Sequence, residues 1–138
     1  MPSELIQLSF DKIMQTRSYT VIILGANNKR FAIYTDPSVG HNLQLLLTET
    51  EKPRPLTHDL INWIFEGLSI RVKQIIINDV QDTVYYARLF IEQNLEDNFR
   101  HILEIDVRPS DGIMLAFMHN APVYCTREVL DKTIPVED

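Results

Sequence analysis

An α+β domain with a mixed, mostly antiparallel sheet and three main helices is the fold class this sequence predicts, and three observations predict it. Runs of β-branched and aromatic residues come in pairs separated by short turn sequences, as in hairpins. Three apolar segments at helical spacing follow a proline-marked start: Asp36-Pro37, Arg54-Pro55 and Arg108-Pro109. The order of elements is strands, helix, helix, two strands, strand, helix, strand, which is not the regular β–α alternation of a parallel fold.

The elements follow in turn. Between Glu4 and Ser18, Ile6, Leu8 and Phe10 alternate with Gln7 and Ser9, a period of two that predicts an opening strand. Tyr19 to Leu24 is a second strand, and Phe31 to Tyr34 returns from it across an Ala26-Asn27-Asn28-Lys29 turn, because Asn tolerates left-handed backbone. Asp36 then caps a helix with Pro37 in its first turn and Leu43, Leu46 and Leu47 on its apolar face. Glu49 to Pro55 is a polar connector. A second helix starts near Thr57 as N-cap, carries Leu60, Ile61, Ile64, Phe65 and Leu68, and stops near Gly67. Ile70 to Asn78 is a strand that turns through Asp79-Val80-Gln81-Asp82, and Val84 to Gln93 pairs back with it. After the polar stretch Asn94 to Asn98, Ile102 to Val107 is a strand. Ile113 to Met118 is apolar on every side and predicts a deeply buried third helix. A short strand, Pro122 to Cys125, and a short helix, Glu128 to Lys132, close the chain. The three helix starts look alike, which raises an internal duplication too short to establish.

Bulk properties narrow the function. At 138 residues the chain reads as one domain, long enough to bury roughly two-thirds of its unfolded surface. No run approaches the ~18 apolar residues of a membrane span. Met1 to Glu4 does not resemble a secretory leader, and Cys125 is the single cysteine, so no intrachain disulfide forms and cytoplasm is the expected compartment. The net charge of −6 argues against a protein that simply coats nucleic acid, which gains affinity by neutralising phosphates with Lys and Arg. It leaves open an enzyme that concentrates its cations locally. No Gly-rich phosphate loop, nucleophile elbow or paired-cysteine zinc motif is present, so no organic cofactor is expected.

Two segments carry candidate chemistry. In Asp106-Val107-Arg108-Pro109-Ser110-Asp111, Pro109 extends Arg108 and the strand delivers that arginine to a helix start. Ser110 and Asp111 fit N-cap and first-turn positions. Glu104 and Asp106 share one strand face, and with Asp111 they would form an oxygen-rich nest for Mg²⁺ or Mn²⁺; solvated strand-face acids are the plain alternative. In Arg54-Pro55-Leu56-Thr57-His58-Asp59, Arg54 lies between two prolines and suits a bidentate phosphate clamp. His58 beside Asp59 is a candidate general base, against the plain alternative of a surface histidine. His41, His101 and His119 show no metal-ligand spacing, and Cys125 reads as an inert buried thiol.

Taken with Tyr86-Ala87-Arg88-Leu89, Ala121-Pro122-Val123-Tyr124 and Val129-Leu130-Asp131, these two segments resemble, in order and spacing, the bifunctional nuclease domain family. The resemblance covers roughly residues 18 to 134, with residues 1 to 17 as an N-terminal strand region. It implies a small α+β homodimer that hydrolyses phosphodiester bonds in RNA or DNA. Our reading of the residues for that activity takes His58, Asp59, Asp106 and Asp111 as catalytic, Arg54, Arg108, Thr57 and Ser110 as holding substrate phosphate, and Asp106 and Asp111 as holding a divalent ion. One departure stands out: Val39 occupies the position where the family usually has a glutamate. Two alternatives follow, a non-catalytic homodimeric module that binds a partner protein and a degenerate nuclease that binds nucleic acid without cutting.

Overall fold

A computed structural model describes residues 4–137; Met1, Pro2 and Ser3 of the N-terminal segment lie outside them. The elements are β1 (Leu5–Gln15), β2 (Thr20–Ala26), β3 (Lys29–Thr35), α1 (Pro37–Leu47), α2 (Thr57–Gly67), β4 (Ile70–Gln81), β5 (Val84–Asn94), β6 (Arg100–Val107), α3 (Pro109–Met118), β7 (Val123–Thr126) and α4 (Arg127–Lys132), with one 3₁₀ turn at Glu96–Asn98. The strands form one seven-stranded sheet in the order β3-β2-β1-β7-β4-β5-β6. Every pairing is antiparallel except β4 with β7. The predicted α+β class with a mixed sheet is therefore what the chain adopts. No helix among the described residues is long and apolar enough to cross a membrane.

Alternation builds the sheet's inner face. Ile6 and Leu8 of β1, Ile75 and Ile77 of β4, and Ala87, Leu89 and Ile91 of β5 are buried against Ile113, Leu115 and Ala116 of α3. Each such Ile or Leu contributes roughly 1.5–3 kcal/mol by leaving water. As predicted, α3 is the buried helix, whereas none of the residues of α2 is fully buried. The sheet curls far enough that Phe31 of β3 stacks on Tyr85 of β5, with ring centroids 5.7 Å apart.

The first hairpin turns through Asn27 and Asn28 at φ 52° and 66°, as their side chains suggest. The second turn is displaced from the expected position. A register shift between Ile77 and Asp79 marks a bulge, so β4 continues to Gln81 and the chain turns at Asp82 and Thr83, φ 49° and 71°. A β-branched residue in left-handed backbone is a costly choice, and it hides the turn from sequence rules.

Capping also differs from expectation. Asp36 stands at the N-cap of α1 but makes no side-chain cap hydrogen bond. The N-cap of α2 is Leu56 rather than Thr57, and that of α3 is Arg108 rather than Ser110. Proline explains the second shift: Pro109 holds Arg108 extended and fits the first helical position, so α3 begins two positions earlier than the hydroxyl suggests. At the end of α2, Ser69 rather than Gly67 takes left-handed backbone, at φ 57°.

The start of α1 is fixed by β2. The Gly40 N–H donates to Thr20 Oγ1 at 3.1 Å, and that hydroxyl donates to the Pro37 carbonyl at 3.3 Å. A Cβ at Gly40 would collide with the Thr20 side chain and lie 2.6 Å from Gln15 Nε2. Glycine is required here by close approach, not by dihedral angle.

Candidate functional site

The first turns of α1, α2 and α3 line one cleft of about 650 Å³. Its rim carries Ser38 and Asn42 from α1, Thr57 and His58 from α2, and Arg108 and Asp111 from α3. Its floor is apolar: Ile61, Phe65, Leu89, Val107 and Leu115. Each helix N-terminus carries a partial positive charge, although at α1 the Gly40 amide is already taken by Thr20 Oγ1 and the Val39 amide by the Asp36 carbonyl. Three of them around one depression favour an anion.

The two Arg-Pro segments meet here. His58 Nε2 lies 3.1 Å from Asp111 Oδ1, and the Arg108 Nε–H donates to Asp111 Oδ2 at 2.9 Å. A carboxylate only accepts, so Nε2 of His58 carries the proton in this contact. Nδ1 makes no hydrogen bond among the described residues. The ring is partly shielded, with 17% of the His58 side chain exposed against 67% for Arg108. The hydrogen bond to Asp111, and next its charge, raise the Arg108 guanidinium above its ordinary value.

Asp59 has a different job. Its Oδ2 accepts the Leu56 backbone N–H at 2.8 Å and lies 3.2 Å from Lys52 Nζ, so it closes the first turn of its own helix. Arg54 is exposed and makes no ion pair among the described residues. Ser110 is buried and lines a separate depression with Ile33, Tyr34 and Tyr85.

The acidic nest expected at Glu104, Asp106 and Asp111 does not assemble. Glu104 and Asp106 flank Arg88 on the outer sheet face, at 3.7 and 3.8 Å. The Asp106 side chain is 79% exposed and outside the cleft lining. Both oxygens of Asp111 are engaged by His58 and Arg108. Among the described residues no three His, Cys, Asp or Glu side chains gather as a metal site. The donor set as it stands does not fit a divalent ion.

Sequence reasoning missed the contribution of α1. Val39 lies in the cleft wall beside Ser38 and Asn42, so the departure noted in the sequence is a departure at the site. The likeness of the three helix starts was the available signal. Lys52, which pins Asp59, also went unforeseen. Cys125 is fully buried, and burial pushes its thiol up to about 11, as an unreactive cysteine requires.

The sequence is similar to that of known proteins. A family model described as the bifunctional nuclease domain matches residues 21–137. An uncharacterized protein of Mycobacterium tuberculosis is 31% identical over 121 residues, which span 86% of this chain and 69% of that protein. Bifunctional nuclease 1 of Oryza sativa subsp. japonica is 26% identical over 77 residues, which span 56% of this chain and 23% of that protein. The matched stretch takes in all three helix starts and both Arg-Pro segments, and the chain belongs to the bifunctional nuclease domain family.

Proposed function

We propose that this protein hydrolyses phosphodiester bonds in RNA or DNA at the cleft between α1, α2 and α3. The convergence of three helix first turns on the Arg108–Asp111–His58 chain carries the proposal. A phosphodiester placed there has its non-bridging oxygens at the free amides and the Arg108 guanidinium, which stabilise the charge that grows during attack. Asp111 holds His58 with its proton on Nε2, so Nδ1 removes a proton from a water molecule. The water oxygen bonds to phosphorus, the bridging P–O bond breaks, and the departing oxygen takes a proton from solvent to leave as an alcohol, while the imidazolium formed at His58 returns its proton to solvent. Thr57 borders the phosphate position, and the exposed Arg54 attracts the polyanion from outside the cleft.

No step here runs through a metal ion, and the requirement for one belongs to the test. Cleavage of single-stranded RNA and DNA is measured in Mg²⁺, Mn²⁺ or EDTA with wild type, His58→Ala and Arg108→Ala, each checked for folding by circular dichroism. Loss of cleavage in folded variants is the expected result. Cleavage that persists in His58→Ala contradicts the assignment of the base.

Val39 favours a second reading. An apolar side chain in the wall supplies neither a proton acceptor nor a ligand, so the cleft would bind nucleic acid and not cut it. Binding whose affinity falls with salt, without turnover, distinguishes this case.

We also propose a homodimer. Leu60, Trp63, Ile64 and Leu68 leave α2 with a contiguous exposed apolar surface, the kind of patch that often serves an interaction.

A further inference from the structure

The sheet has two edges, and they are treated differently. At β3 the C-terminal segment lies alongside, and the Val136 N–H donates to the Arg30 carbonyl at 2.8 Å. At β6 no element pairs with the outer side among the described residues. This open edge is eight residues long, contains no proline or lysine, and shows no register shift against β5. Prolines, lysines and bulges are the devices that usually protect an edge from further pairing. Its apolar side chains are also uncovered, since Ile102, Leu103 and Ile105 are each 40–47% exposed.

From this edge we infer that β6 is the dimer seam, pairing antiparallel with β6 of a second copy so that the two sheets become one. The inference rests on the homodimer proposed above and names its surface. A twofold axis perpendicular to the sheet keeps each face on its own side, so only residues of like parity can oppose one another. The charge order along β6 suits two axes, one at Ile102, which opposes Arg100 to the partner's Glu104, and one at Leu103; we take the second because it sets Leu103 against its own copy on the inner face. Arg100 stands at one end of the outer face, with Glu104 and Asp106 at the other. Placing the axis at Leu103 sets Arg100 opposite the partner's Asp106, and Asp106 opposite the partner's Arg100. It sets Leu103 against its own copy on the inner face and Ile105 against the partner's His101. Opposite charges across the strands and an apolar centre make the strand self-complementary.

The same register brings the partner's Phe99 opposite Val107. Phe99 is 69% exposed and Val107 lines the cleft, so the second copy supplies an aromatic ring at the cleft's border. The inner face of β6 lies on the side of the sheet that carries α2, because Ile61 and Phe65 line the cleft together with Val107. The exposed apolar residues of α2 are therefore on the side where the two helix layers approach.

Sedimentation equilibrium of the full chain, with disulfide crosslinking, tests the seam. Leu103→Cys should give a covalent dimer on mild oxidation, since opposed Cα atoms in such a pair lie roughly 4.5–5.5 Å apart. Ile105→Cys, which opposes the partner's His101, should not. Leu103→Lys should weaken the dimer by about tenfold or more while keeping the monomer's circular dichroism spectrum. A dimer that survives Leu103→Lys, with no crosslink formed by the Leu103→Cys variant, overturns the seam and leaves the dimer standing on another surface. A wild type that stays monomeric at all concentrations overturns both. A crosslink in Ile105→Cys and none in Leu103→Cys overturns the register.

Discussion

Two segments of this chain read almost the same and fold to different ends. Arg54-Pro55 and Arg108-Pro109 each precede a helix whose first turn carries an aspartate. Asp59 turns back on its own segment, accepting the Leu56 amide and pairing with Lys52. Asp111 reaches across to α2 and holds His58, while Arg108 holds it from behind. Arg54 is left without an ion pair among the described residues, whereas Arg108 is committed. A local pattern thus settles where a helix begins but not what its acid does. The role comes from the partner that tertiary packing supplies, and α2 and α3 are brought together by the sheet beneath them.

If that comparison is right, the two aspartates separate cleanly. Asp111→Asn keeps the shape but cannot hold the imidazole as an anion does, and it should lower kcat by about 10²–10⁴-fold. Asp59→Asn should leave cleavage near wild type and instead cost about 0.5–1 kcal/mol of stability, read by urea denaturation, because an acid is lost from a helix first turn. Equal activity losses in the two variants would break the distinction.

A smaller effect tests the third helix start. Gly40→Ala should destabilise the protein by about 1–3 kcal/mol, seen as a lowered Tm, through the collision with Thr20. The arginines sharpen the comparison further. Arg54→Ala should reduce the salt slope of nucleic-acid affinity by about 1 with little change in kcat, whereas Arg108→Ala should lower kcat as well.

A pH effect lies outside both segments. Burial raises the Cys125 thiol from 9.0 to about 11. The unfolded chain therefore loses its thiol proton first as pH rises. The contribution of this group is intact below pH 9 and is lost progressively toward about 11, measurable by denaturation across that window. Native Cys125 should also resist alkylation at pH 8.

Much of the fold was legible because its signals are local. Alternation at Ile6, Leu8 and Phe10, the Asn27-Asn28 turn and the apolar run of α3 each reflect burial or backbone preference of neighbouring residues. The β4–β5 turn was not legible, since Thr83 adopts a backbone its side chain disfavours and the bulge near Asn78 extends the strand. At the site, sequence picked out Arg108, Asp111 and His58, because arginine, proline and acid at a helix start form a recognisable cluster. It also grouped Asp106 with Asp111, although β6 sends Asp106 to the outer face beside Arg88. Face alternation along a strand is readable, but which face the next helix joins is a tertiary fact. For the same reason Ser38 and Asn42 went unassigned, and Val39 stood out only against the family pattern: the likeness of the three helix starts does not by itself say that α1 closes the cleft.

The most direct test of the central claim is the rate of single-stranded RNA and DNA cleavage by wild type, Asp111→Asn and Asp59→Asn, side by side, in Mg²⁺, Mn²⁺ and EDTA. A folded Asp111→Asn that has lost cleavage, beside a folded Asp59→Asn that retains it, is the predicted result. Cleavage retained by Asp111→Asn, or no cleavage by wild type in any condition, would contradict an active site built on the Arg108–Asp111–His58 chain.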